Sequence, residues 1–403
     1  MTFKLVNAYI SCAIKLLKLY NYMTDSEEKF EPLYKNEVRI FVCGPTVQDY
    51  MHIGHARTYV FFDVLRRYLL SSGYNVKLLI NVTDIDESIE REAGGLVENF
   101  IEEKVDSYKM DMENLKVFQL FGFERVSRYI QIMISQISEL INKGYAYPTE
   151  EAVFFDTSKV NNFGKLAHLT KKELELMPLE LSQKKKNLLD FALWRNLQSK
   201  SNVYNSPWGK GWPGWHIQDT AVAISMLGPQ YDIHGGAYDL IYPHHVSEIA
   251  QAEALSGKKP YVKYWVYTGF VTIEGKKMSK SDGNCVYVKD VLNKYDADSI
   301  RFYLLSERYN KNIDYDPESL ERRSNELKAI KDKLAGVNLS YNAKSKRFYN
   351  QICEALNDNF NTPKLIKLIE EAINYPGKLD ITLSEAKQAL VNTSSILGVE
   401  FVS

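Results

Sequence analysis

Residues 41–70, FVCGPTVQDYMHIGHARTYVFFDVLRRYLL, join an apolar run ending in Cys43-Gly44-Pro45 to a short loop and then to His52-Ile53-Gly54-His55. The residues leading in, Val38 to Val42, are β-branched or aromatic and predict a buried strand. Beyond the loop Val60, Phe61, Val64, Leu65 and Leu69 recur at helical spacing. Strand, turn and helix in that order aim the unpaired amides of a helix N-terminus at whatever lies above the strand end, and two imidazoles add donors there. The stretch predicts a nucleotide triphosphate site. No G-x-x-x-x-G-K-[ST] string occurs, and the one G-x-G-x-x-G match, Gly209 to Gly214, reads as a Trp- and Pro-rich loop without the flanking strand and helix.

With 403 residues, 45% hydrophobic and 25% charged, the chain is long enough for two or three soluble domains. Fifty Lys and Arg against 51 Asp and Glu leave a net charge of −1, which excludes a global basic field for nucleic acid and allows only a local patch. Cys12, Cys43, Cys285 and Cys353 are scattered without paired spacing, the pattern of free thiols in a reducing compartment. The apolar run from Leu5 to Ile14 is interrupted by Lys15 and Lys18 and is too short to span a bilayer. A soluble cytoplasmic protein with no membrane association is expected.

Outward from the opening stretch, Val76 to Val82 predicts the next parallel strand, and Ser88 to Lys143 carries apolar residues at helical intervals. Ala152 to Asp156 predicts a short strand, followed by a polar connective region around Lys171 to Leu189. Tyr231 to His245 precedes a helix starting near Val246, and Tyr261 to Ile273 is again β-rich. From Asp296 the pattern is helical, with Pro317, Pro363 and Pro376 as punctuation. The fold class is α/β: a Rossmann-like parallel sheet with an inserted connective segment, followed by an α-helical bundle. The boundaries expected are an extension over 1–16, a catalytic domain over 17–290 with the insertion at about 110–200, linking helices over 291–316 and the bundle over 317–403.

CGPTVQDYMHIGHAR, together with Lys277-Met278-Ser279-Lys280-Ser281 far downstream, resembles the paired HIGH and KMSKS signatures of the class I cysteinyl-tRNA synthetases. The resemblance runs from about Leu17 to Val399 and stops short of the small anticodon-binding domain such enzymes usually carry. It implies that MgATP activates L-cysteine to an adenylate, which is passed to the terminal adenosine of tRNA(Cys). It also implies that His52 and His55 bind the triphosphate while Lys277 and Lys280 neutralise charge building on it. Gly54, Gly235, Gly236, Asp239 and Lys280 would hold ATP, and Thr83 and Trp215 would line the cysteine pocket. Bundle residues such as Arg322, Arg323 and Lys331 could meet tRNA, and a monomer is expected. Two other readings fit the same motifs: a synthetase-derived cysteine ligase acting on a small amine, and a non-catalytic RNA-binding paralogue.

Six of the seven histidines, His52, His55, His216, His234, His244 and His245, fall within these motif stretches. His244 and Glu248 are four apart at the start of a predicted helix and face the same way, and Cys43 ends a strand at the nucleotide site. In similar synthetases zinc is held by residues matching Cys43, His244 and Glu248 and by a second cysteine. Asp219 stands in that last position. One thiolate and two carboxylates carry the same charge as two thiolates and one carboxylate, and zinc accepts carboxylate oxygen. The expected metal set is therefore Cys43, Asp219, His244 and Glu248, with Zn2+ serving structure and substrate selection and Mg2+ arriving with ATP.

Overall fold

The computed structural model describes residues 17–177, 182–197, 203–278 and 283–402. The expected extension over 1–16 and Lys280 lie outside the described residues.

A hairpin of β1 (Lys18–Asn21) and β2 (Ser26–Lys29) leads into β3 (Glu37–Val42), the apolar run of the opening stretch. Next come α1 (Ile53–Ser71) and β4 (Asn75–Val82), the latter parallel to β3 with Val42 opposite Ile80. The chain then passes through α2 (Glu87–Ala93) and α3 (Val97–Asn114) to β5 (Gly122–Arg125), parallel to β4. After α4 (Ile130–Asn142) an antiparallel sheet is inserted: β6 (Ala146–Pro148), β7 (Ala152–Phe155), β8 (Phe191–Asn196) and β9 (Gly211–Pro213), with α5 (Lys171–Glu175) between β7 and β8. Helix α6 (Trp215–Leu227) returns the chain to β10 (Tyr231–Ala237), and α7 (Val246–Ser256) connects to β11 (Val262–Thr268).

The five-stranded sheet runs β11-β10-β3-β4-β5, all parallel. From β3 the chain fills one side with β4 and β5, and later fills the other with β10 and β11. The crevice beyond the carboxyl ends of β3 and β10 is thus the switch point where open parallel sheets bind ligands. A small sheet of β12 (Val271–Ile273), β13 (Lys276–Lys277) and β14 (Ile313–Asp314) closes one side of it. Helices α8 (Val288–Leu292) and α9 (Ala297–Leu304) precede the bundle of α10 (Pro317–Leu334), α11 (Ala343–Asn357), α12 (Thr362–Asn374) and α13 (Leu383–Leu397). Pro317 and Pro363 sit in the first turns of α10 and α12, where a missing N–H costs nothing.

Helix α1 is buried nearly all round because the sheet covers one side and α13 another. Its Asp63 is fully buried and is held by Arg66 at 3.0 Å, Arg67 at 2.7 Å and Arg301 of α9 at 2.8 Å. Arg301 also donates to the carbonyls of Leu397 and Leu115, each at 2.9 Å. One buried charge network therefore ties the signature helix to the C-terminal helices. Removing a single partner from such a network costs about 3–5 kcal/mol, because the charge left behind has no water.

Two local expectations are corrected. The edge strand β5 falls inside the stretch read as helical; its sequence GFER is only half-buried and carries no apolar run. Gly209 to Gly214 is not a plain loop, since it contains β9 and ends at Gly214, the N-cap of α6. That strand belongs to the antiparallel insertion, however, and a Cβ on Gly214 would come 2.1 Å from the Ala192 carbonyl oxygen, so the glycine serves packing on β8. Cys43 and Cys285 stand outside any disulfide. No helix among the described residues is long and apolar enough to cross a membrane.

Candidate active site and metal centre

A cavity of about 480 Å³ opens at the switch point, lined among others by Cys43, Thr46, His52, Gly54, His55, Asp239, Lys277 and Cys285. His52 is the N-cap of α1, with extended backbone at φ −101° and ψ 164°. Its Nδ1 accepts from the amides of Gly54 at 3.1 Å and His55 at 3.4 Å, while His55 Nδ1 accepts from the His52 amide at 3.4 Å. The two histidines thus form a reciprocal capping box, a task usually given to Ser or Thr with Glu. Their rings stack 3.7 Å apart. Gly54 is required beneath them, because a Cβ there would stand 2.9 Å from His52 Nδ1.

Capping decides the tautomer. A ring nitrogen that accepts from a backbone N–H carries no proton, so in each neutral ring Nε2 is the donor. Burial lowers His52 to about 4, and burial followed by the His52 charge drives His55 well below the ordinary imidazole value. Both rings are neutral donors near pH ~7. Because the folded value of His52 lies below the unfolded one near ~6.5, its neutral ring contributes stability fully above that pH, and the contribution is lost as pH falls toward about 4. Urea midpoints measured across this range should fall on acidification, with a shallower slope in His52→Asn.

Lys277 of β13 pairs with Asp239 and lies 4.9 Å from the centre of the Phe270 ring, both groups half-exposed at the cavity mouth. The predicted phosphate and ribose groups therefore meet each other across the site. Gly235 and Gly236 are buried in β10, and the structure gives them packing reasons: a Cβ would come 2.0 Å from the Phe62 ring at Gly235 and 2.8 Å from Leu240 at Gly236. Thr83 continues β4, its amide bonded to the Pro45 carbonyl at 3.0 Å and its carbonyl to the Val47 amide at 3.1 Å. Trp215, in the first turn of α6, is 56% exposed, and its Nε1 donates to Asp86 at 2.7 Å. The bundle bases are engaged locally: Arg322 with Asp316 at 3.7 Å, Arg323 with Glu326 at 2.7 Å and Lys331 with Asp298 at 3.0 Å.

Behind the cavity floor Cys43, His244, His245 and Glu248 bring one ligand atom each within 4.8 Å of one another. Asp219 of α6 adjoins this set: Oδ2 lies 3.2 Å from Cys43 Sγ and 3.1 Å from His244 Nε2. Three of the four expected ligands thus meet directly, Asp219 touches two of them, and His245 is an addition. His245 Nε2 stands 3.0 Å from Cys43 Sγ, and its Nδ1 is 2.7 Å from the Tyr267 hydroxyl. Its spacing of three from Glu248 could have revealed it, since residues three apart on a helix also share a face. His234 Nε2 adds a further contact to Cys43 at 3.3 Å.

This cluster fits a cation. Glu248 is fully buried and neither carboxylate oxygen has a hydrogen-bond partner. Burial, then the nearby Asp219, pushes its carboxyl well up, and burial followed by Asp219 and Glu248 does the same to the Cys43 thiol. Acids converging in a dry site without a counter-charge are the donor set a dication needs, and a dication reverses those shifts. One thiolate with imidazole and carboxylate donors lies within the range zinc accepts.

Residues 29–325 match the family model described as the catalytic domain of class I (C) tRNA synthetases. A cysteine–tRNA ligase of Methanococcus maripaludis strain C7 is 41% identical over 383 residues, covering 90% of this chain and 80% of its own. One from Pyrococcus horikoshii is 40% identical over 395 residues, covering 93% and 83%. Among solved structures, Mycobacterium tuberculosis methionyl-tRNA synthetase bound by methionyl-adenylate superposes with a TM-score of 0.69 over 90% of this chain and 92% of that one, at 13% identity. At that identity the likeness speaks for the fold: the parallel sheet, the insertion and the helices that follow. Signature helix, switch-point cavity, family match and relatives converge, and the chain belongs to the class I tRNA synthetases, among the cysteine–tRNA ligases.

Proposed function

We propose that the switch-point cavity is where L-cysteine is activated. The cysteine carboxylate attacks the α-phosphorus of MgATP, forming the acyl phosphate bond as the bond to pyrophosphate breaks. The aminoacyl group then passes to a ribose hydroxyl of the terminal adenosine of tRNA(Cys), and AMP leaves. His52 and His55 present neutral Nε2–H donors to the triphosphate, fixed by their capping roles before substrate arrives. Donors held in place cost no reorganisation when charge moves onto the phosphate oxygens. Lys277 leaves Asp239 to meet the phosphates, with Lys280 assigned beside it by the motif alone, and the freed Asp239 accepts from the ribose diol. Gly54 allows the stacked rings their place, and Gly235 and Gly236 keep the adenosine side of the sheet thin. Thr83 and Trp215 bound the amino-acid end.

Cys43, Asp219, His244 and Glu248 would hold zinc, with His245 within reach. Zinc there supplies a soft Lewis acid that favours a substrate thiolate over a hydroxyl. The observation that carries the reading is the double membership of Cys43, which lines the nucleotide cavity and belongs to the ligand cluster. Amino-acid choice and adenylation thereby share one wall. A cytoplasmic monomer completes the reading.

The test is acceptor dependence. Purified protein given ATP and radiolabelled cysteine should make acid-precipitable product only when tRNA(Cys) is added. A soluble cysteine conjugate formed from a small amine without tRNA would overturn the acceptor assignment.

A further inference from the structure

We propose that Asn81 is a positioning residue for the metal centre, turning the Asp219 carboxylate so that Oδ2 is the oxygen offered to the ion. The inference rests on the reading above that Asp219 is a ligand. Asn81 lies near the carboxyl end of β4 and is 1% exposed. Both ends of its side-chain amide are used: Oδ1 accepts the Gly44 amide at 2.8 Å, and Nδ2 donates to Asp219 Oδ1 at 2.8 Å. The backbone N–H of Gly44 can only donate, which assigns the amide's orientation. Gly44 directly follows Cys43, so one buried side chain grips both segments that bring the thiol and the carboxylate together, the end of β3 and helix α6.

The geometry separates the two oxygens of Asp219 by task. Oδ1 is occupied by the Asn81 N–H, and Oδ2 faces Cys43 Sγ at 3.2 Å and His244 Nε2 at 3.1 Å. A carboxylate without that hold would be free to turn either oxygen, or both, toward the cluster. An amide is a neutral donor, so it restrains the carboxylate while leaving its charge for the cation, which Lys or Arg in the same place would cancel. A thiolate has one donor atom and nothing to turn, so the restraint matters only with Asp at position 219. Outer groups that orient metal ligands typically change affinity by about 10–100-fold.

The test is a double-mutant cycle on the full chain, reading zinc affinity by chelator competition and the thermal midpoint of metal-free protein. The four proteins are the wild type, Asn81→Leu, Asp219→Cys and the double variant. Asn81→Leu should weaken zinc by about tenfold or more when Asp219 is present. In the Asp219→Cys background, itself expected to keep zinc, the same substitution should change affinity by less than about twofold. The metal-free midpoint should drop in both backgrounds, because the Gly44 bond is lost in both, and further with Asp219 present, where the bond to Oδ1 is lost as well. Equal losses of zinc affinity in the two backgrounds, or no loss with Asp219 present, would overturn the inference and reduce Asn81 to a scaffold for the Gly44 turn. Unchanged zinc affinity in a fifth protein, Asp219→Ala, would instead overturn the ligand assignment on which it rests. Should Asn81→Leu not fold, Asn81→Ala in the same backgrounds is read by the same criteria.

Discussion

Cys43→Ala is expected to lose its zinc and to lower cysteine-dependent ATP–pyrophosphate exchange by more than ~100-fold, since groups that merely orient metal ligands already account for about 10–100-fold. The side chain is the thiol of the cluster and also part of the wall of the switch-point cavity. Its removal leaves Glu248, whose oxygens have no other hydrogen-bond partner, and Asp219 facing each other without a cation between them. Part of the loss is therefore structural, and it should be visible as a lower thermal midpoint. The discriminating readout is selectivity. Residual exchange in Cys43→Ala should no longer prefer cysteine to serine, because a soft thiolate site has become a polar pocket of similar size. Retained preference at reduced rate would place substrate recognition elsewhere.

His52→Asn is expected to keep the fold and lower kcat for exchange by about 10²–10³, the effect of deleting one donor aimed at developing negative charge. Asparagine is among the strongest N-caps, so the amides of Gly54 and His55 remain satisfied, whereas alanine would also cost about 1 kcal/mol of helix stability. Comparing the two separates the capping role of His52 from the catalytic role proposed for the same ring. Both variants lose the Nε2–H, so both should be slow; only His52→Ala should also melt early. If His52→Asn exchanged at the wild-type rate, the Nε2 donor would have no part in the chemistry and the residue would be a cap alone.

Much of this site can be read from the sequence because its parts are local. The strand ending at Val42, the turn and the helix beginning at Ile53 are announced by a β-branched run, Gly-Pro and helical spacing within one continuous stretch. His244 and Glu248 share a helix face by spacing. What escaped depends on contacts that spacing does not encode. Asn81 meets Asp219 across 138 residues of sequence, and no pattern marks it. His245 is the exception, since its spacing of three from Glu248 places it on the same helix face as the pair that was read. Strand β5 is short and half-buried at the sheet edge, where the apolar signal that marks β3 and β4 fades. Gly235 and Gly236 carry a reason the motif did not show, since Phe62 and Leu240 leave no room for a Cβ at either position.

The central claim, that one wall of the cavity joins amino-acid choice to adenylation, is tested most directly by ATP–pyrophosphate exchange on zinc-loaded protein with cysteine and serine in parallel. The prediction is exchange with cysteine, less than about a hundredth of that rate with serine, and loss of the cysteine reaction on chelation with recovery on added zinc. Equal exchange with both amino acids, or none with either by zinc-loaded protein, would contradict it.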